Sequence, residues 1–64
     1  MTKLIKMHEV QGRTARSRAA IYADIKLGKF PKPVKTSDKS SAWVDLEIEE
    51  WIAARVTLRD GGAK

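Results

Sequence analysis

One histidine and no cysteine set narrow limits on the chemistry of this chain. His8 has Glu9 beside it, but no nucleophile stands at a spacing that would build a catalytic triad. A lone histidine makes no metal site, and without cysteine there is no disulfide and no thiolate-ligated metal. Ser17 fits a helix cap better than a nucleophile, because its hydroxyl can accept from the free backbone N–H groups of the turn that follows. The acids Glu47, Glu49 and Glu50 fall on different parts of a helix circumference and do not converge, so they read as a solvated face. The residue types therefore point to no enzyme and no cofactor.

The residues whose spacing does suggest a partner are basic. Arg13, Arg16 and Arg18 cluster about the start of a helix, where free N–H groups and the helix dipole already favour phosphate. Arginine also pairs bidentately with the major-groove edge of guanine. Ala19 and Ala23 lie opposite Ile21 and Ile25 on that helix, so its backbone can approach base edges closely. Alanine there also suits a plain solvent face. Lys32, Lys35 and Lys39 lie on or beside a hairpin, spaced to follow a phosphate backbone or simply to remain solvated. Tyr22 suits the edge of the core or a hydroxyl donation to a phosphate, and one side chain can do both. Thr14, Ser17, Lys26 and Ser40 complete the set of expected DNA contacts. Trp43 and Trp51 belong in the core by their spacing and neighbours, not on a base-stacking platform.

These residues need elements to hold them. Met7 and Val10 form an i, i+3 pair suited to a short helix over about 6–11, and Gly12 to Arg16 read as a turn. Ser17 caps a second helix over about 18–27, with Ile21 and Ile25 as its buried stripe and Gly28 as its left-handed stop. Phe30-Pro31-Lys32-Pro33 is stiff and extended. Strands are expected over about 33–36 and 41–44, with turn chemistry at 37–41. Asp45 is expected to cap a third helix over about 45–56, with Val44, Ile48, Trp51, Ile52 and Arg55 along one stripe. This is a mainly α chain with a small β-hairpin wing, a winged helix-turn-helix. The folded domain is expected over 1–58 and a disordered tail over 59–64.

Charge is unevenly spread. Residues 1–39 hold ten Lys or Arg against three acids, a net +7, whereas residues 40–64 hold three against five, a net −2. One face suits a polyanion and another turns away from it. No apolar run approaches the ~20 residues that span a bilayer, and the first residues lack the apolar stretch of a signal peptide. The expectation is a soluble, cytoplasmic, nucleoid-associated protein with no membrane partner.

The order of these elements resembles the AlpA-type family of small prophage regulators, which is similar to the DNA-binding part of MerR-like proteins and to phage excisionases. The matching residues are His8-Glu9-Val10, Ser17-Arg18 with Ile21-Tyr22, Gly28 to Val34, Trp43, and Glu47-Ile48-Glu49-Glu50-Trp51-Ile52. The likeness spans about residues 4–55. It implies a second helix in the major groove of specific duplex DNA and a wing on the backbone or minor groove. The implied role is a transcriptional regulator or an excisionase (a recombination directionality factor) of a prophage or mobile element. An integrase or RNA polymerase is the implied protein partner, with a dimer or cooperative array on DNA. The chain departs from the family pattern at Ala15-Arg16, where Gly-Leu is usual, and at Ala19, Ala20 and Ala23, where polar residues are common. Recognition then rests more on Arg16, Arg18 and Lys26, helped by DNA shape. The alternative is a protein-interaction module that binds a host regulator or integrase through the third helix.

Overall fold

The computed structural model describes residues 2–61. Its elements run β1 (Leu4–Ile5), α1 (Met7–Thr14), α2 (Arg18–Lys26), β2 (Val34–Ser37), β3 (Ser40–Val44) and α3 (Asp45–Asp60). The strands form one antiparallel sheet in the order β1-β3-β2. Together they make a winged helix-turn-helix, with α1 and α2 as the helix pair and β2-β3 as the wing. The expected hairpin thus has a third strand. β1 pairs Leu4 with Val44 and Ile5 with Trp43, and the Asp45 N–H donates to the Lys3 carbonyl at 2.7 Å. Two residues are too few to show a strand's alternation. Burial of Ile5, at 2% exposure beside Trp43, is what secures them.

The first helix is longer than expected. Gly12, Arg13 and Thr14 are helical, and the chain turns only at Ala15, whose φ of 57° is left-handed. The Ala15 N–H donates to the Gln11 carbonyl at 2.8 Å, closing the helix where glycine is the usual residue. A left-handed alanine brings its Cβ against the following carbonyl, a strain that glycine escapes. In α2 the expected signals act as read. The Ser17 hydroxyl accepts from the Ala20 N–H at 3.1 Å. Gly28, at φ 74°, ends the helix in a Schellman arrangement, with Lys29 N–H to the Asp24 carbonyl and Gly28 N–H to the Ile25 carbonyl.

In the wing, Ser37 pairs with Ser40, so the turn is only Asp38-Lys39, and the register slips between Lys35 and Ser37. The third helix begins without the expected cap. Val44 holds the N-cap position with no side-chain bond, because β3 pairing carries the extended chain through Val44. Asp45 is the first helical residue, and its carboxylate is used elsewhere. α3 continues to Asp60, so Arg59 and Asp60, expected in the tail, form its last turn. Residues 62–64 of that expected tail lie outside the described residues.

The core is Ile5, Val10, Ile21, Phe30, Trp43 and Ile48, with Met7, Ile25, Trp51 and Ile52 packed against it. Each element except β2 supplies at least one of these side chains. The stripe expected along α3 fades outward, from a fully buried Ile48 through half-buried Trp51 and Ile52 to an exposed Arg55.

So small a core leaves orientation to polar ties at its rim, and Arg13 makes one of them. Its guanidinium reaches Asp45 at 2.6 Å, pairs with Glu49, and lies 3.8 Å from Glu9. This half-buried arginine therefore ties α1 to the first turn of α3. Asp45 and Glu49 are one helical turn apart and so flank a single cation.

Two substitutions probe these features. Ala15→Gly should remove left-handed strain while adding some unfolded-state entropy, a net gain of roughly 0.5–1 kcal/mol. Thermal unfolding followed by far-UV circular dichroism should show a higher midpoint, and an unchanged one would place no strain at Ala15. Arg13→Ala should destabilise by on the order of 1–3 kcal/mol, between the limits for exposed and buried pairs. In urea titrations its effect and that of Glu49→Gln should add to less than their sum. Simple additivity would mean that the two side chains act independently.

Candidate nucleic-acid interface

The face of α2 turned from the core carries Arg18, Ala19, Tyr22, Ala23 and Lys26, all exposed. Their spacing at i, i+1, i+4, i+5 and i+8 places them on one strip of the helix. Ile21, at 0% exposure, and half-buried Ile25 hold the opposite side against the core. The Arg18 guanidinium lies over the Tyr22 ring, 5.7 Å from its centroid. A cation held on an aromatic face loses less conformational freedom when it meets a base edge. Tyr22 is 42% exposed, so it belongs to this face more than to the core edge.

Three arginines were expected to cluster at the start of α2, but only Arg18 is free of a carboxylate partner among the described residues. Arg13 serves the α1–α3 tie. Arg16 pairs with Asp24 on the flank of α2, and its buried Nε meets no acceptor. Asp45 and Glu49, distant in the chain, and Asp24, eight residues on, are brought beside these cations by the fold, while Glu9 is an i−4 neighbour of Arg13 on α1. The neighbouring hydroxyls are engaged as well. Thr14 Oγ1 donates to the Val10 carbonyl at 2.8 Å, and Ser17 caps α2.

On the wing, Lys32, Lys35 and Lys39 are exposed, and Ser40 is half-buried in the pairing with Ser37. Lys35 Nζ donates to the Asp38 carbonyl at 3.1 Å, which arches the lysine over the turn. Between α2 and α3, Lys29 and Arg55 come to one recess with Arg16, Asp24 and Trp51. No sequence spacing links positions 29 and 55. The left-handed turn at Gly28 and a bond from Trp51 Nε1–H to the Lys29 carbonyl, 2.9 Å long, bring them together.

In the last turn of α3, Arg59 bonds Asp60 and holds its carboxyl below the usual carboxylate range. Among the described residues, no helix is long and apolar enough to cross a membrane.

The arrangement is thus a partly unpaired basic helix face beside a lysine-bearing hairpin. Residues 3–56 match the family model described as Prophage CP4-57 regulatory protein (AlpA). The chain is also 33% identical over 60 residues to "Uncharacterized protein ORF88" of Enterobacteria phage P4, covering 94% of this chain and 68% of that protein. The matched span takes in β1, both helices of the pair, the wing and most of α3. The chain belongs to the AlpA family of prophage regulatory proteins.

Proposed function

We propose that this chain regulates a prophage by binding specific sites on duplex DNA, with α2 in the major groove and the β2-β3 wing along the backbone. The observation that carries this reading is the outer face of α2. Arg18 and Lys26 stand there without carboxylate partners among the described residues, and the two alanines between them keep the helix slim. Arg18, steadied on Tyr22, is the residue suited to read a base. Lys26, Lys32, Lys35 and Lys39 are suited to phosphates, which set register without carrying sequence information. Arg13 and Arg16 contribute to binding through the fold rather than by direct contact.

The finer role is a transcriptional regulator of an integrase gene or a recombination directionality factor. Both need the same contacts, so bending separates them: circularly permuted duplexes carrying the site would migrate differently only if the protein bends DNA. So small an interface supports weak binding by one copy, which favours adjacent sites or a dimer. A second reading draws on α3, whose residues 53–60 are all exposed and include Val56 and Leu58. Binding to an integrase or RNA polymerase that persists at high salt and maps to 46–58 would support it.

Arg18→Ala should cost about 1–3 kcal/mol at the preferred site and relax discrimination at one base pair, as read by competition gel shift. A uniform loss on all sequences would make Arg18 a phosphate contact instead. Lys35→Ala should weaken all duplexes alike and lower the slope of log affinity against log salt by about 1. An unchanged slope would remove the wing from the interface.

A further inference from the structure

Arg16, Asp24, Lys29, Trp51 and Arg55 line one recess between α2 and α3. Its position decides what can reach it. At about 100° per residue, Asp24 lies about 170° round α2 from the centre of the exposed strip that runs from Arg18 to Lys26. A duplex gripped by that strip is on the far side of the helix and does not meet the cations of the recess. On the other side of Trp51, the exposed acids Glu47 and Glu50 line an open groove with Pro31 and Lys32. A long polyanion laid across this region would therefore meet carboxylates as well as cations.

Within the recess the charge is unbalanced, with three cations around one acid. Asp24 pairs with Arg16, which leaves Lys29 and Arg55 without a carboxylate partner among the described residues. Arg16 is itself incompletely satisfied, since its buried Nε has no acceptor. Trp51 fixes the Lys29 backbone through its indole N–H, and the Arg55 guanidinium lies 5.7 Å from the centre of the Trp51 ring. A carboxylate makes charge-assisted hydrogen bonds with both kinds of cation, and its aliphatic stem can lie on an indole. We propose that this recess docks a short acidic segment of a protein partner, with a carboxylate between Lys29 and Arg55 and its stem along Trp51. Bounded by Asp24, Glu47 and Glu50, the recess suits an isolated carboxylate better than a continuous chain of phosphates. A partner held there sits on the side of the domain away from DNA and leaves the α2 strip free. Its position relative to DNA rests on the reading above; the acid-binding site itself does not.

The test is an NMR titration of the isotope-labelled full chain with a capped hexaglutamate peptide, and with hexaglutamine as the uncharged control. Hexaglutamate should move the Trp51 indole N–H, the Lys29 amide and the Arg55 guanidinium along one binding curve, and hexaglutamine should move none of them. Lys29→Ala and Arg55→Gln should each weaken that curve about two- to fivefold, the effect of removing one ion pair near the surface. Lys29 holds Trp51 through its main-chain carbonyl, so alanine keeps that bond, and the dispersion of each variant's amide spectrum establishes that it is folded. Arg18→Ala on the DNA strip and Arg59→Gln one turn along α3 should leave the curve unchanged. Equal weakening by all four variants would mean diffuse attraction and overturn the site, as would shifts confined to the α2 strip and the wing. A second titration adds hexaglutamate to the chain saturated with its preferred duplex, where the recess should bind as before. Loss of peptide binding there would overturn the placement away from DNA. If the chain binds no duplex, the DNA-binding reading fails while the first titration still decides the recess.

Discussion

Two indole N–H groups fix the geometry on which the rest of the molecule depends. Trp43 Nε1 donates to the Pro31 carbonyl at 3.0 Å, and Trp51 Nε1 donates to the Lys29 carbonyl at 2.9 Å. The acceptors are two residues apart in the chain, while the donors lie on the central strand and on α3. Phe30 sits between the acceptors, 5% exposed, with its ring edge-on to Trp51 at 5.0 Å. The segment leaving α2 is thereby clamped to both the sheet and the third helix. Proline at 31 and 33 stiffens what the bonds have placed. The wing can hold a constant angle to α2 only because this connector is rigid, and the proposed two-surface grip on a duplex depends on that constancy.

The same economy appears in the charges. With a core of so few side chains, the fold recruits part of its basic complement for structure. Arg13 gathers Glu9, Asp45 and Glu49, and Arg16 takes Asp24. What remains unpaired is concentrated on the outer face of α2, along the wing and in the α2–α3 recess. Net charge by sequence segment therefore overstates the cations available to a partner and blurs their location. The folded pattern is sparser and more directional than a +7 half-chain suggests.

Much of the architecture was legible because local rules and tertiary packing agree along α2. Ser17, the Ile21/Ile25 stripe and Gly28 each act as their residue types require. The exposed Ala19/Ala23 side was legible for the same reason. Elsewhere the determinants are non-local. β1 is too short to carry a pattern and exists because Ile5 fits beside Trp43. Glycine at position 12 suggested a turn, yet the helix runs on to Ala15, with Arg13 in its last turns bound to α3. Asp45 looked like a cap and is instead an acceptor for Arg13. The outer surface of α2 could be anticipated from spacing. The engagement of Arg13 by α3 and of Arg16 by Asp24 could not, since it depends on which acids the fold brings near; only the Glu9–Arg13 pair, one turn apart on α1, is local.

The reach of Arg13 across the chain has a consequence for how the molecule can be divided. The helix-turn-helix pair holds eight and nine residues in its two helices, below the ~12–15 at which an isolated helix is even marginal in water. Its buried residues meet partners from β1, the connector, β3 and α3, and its last turn of α1 is bound to Asp45 and Glu49. The pair is therefore not a module that evolution or an engineer can lift out and graft. It acquires its shape only as part of one cooperative unit, so recognition and folding are inherited together.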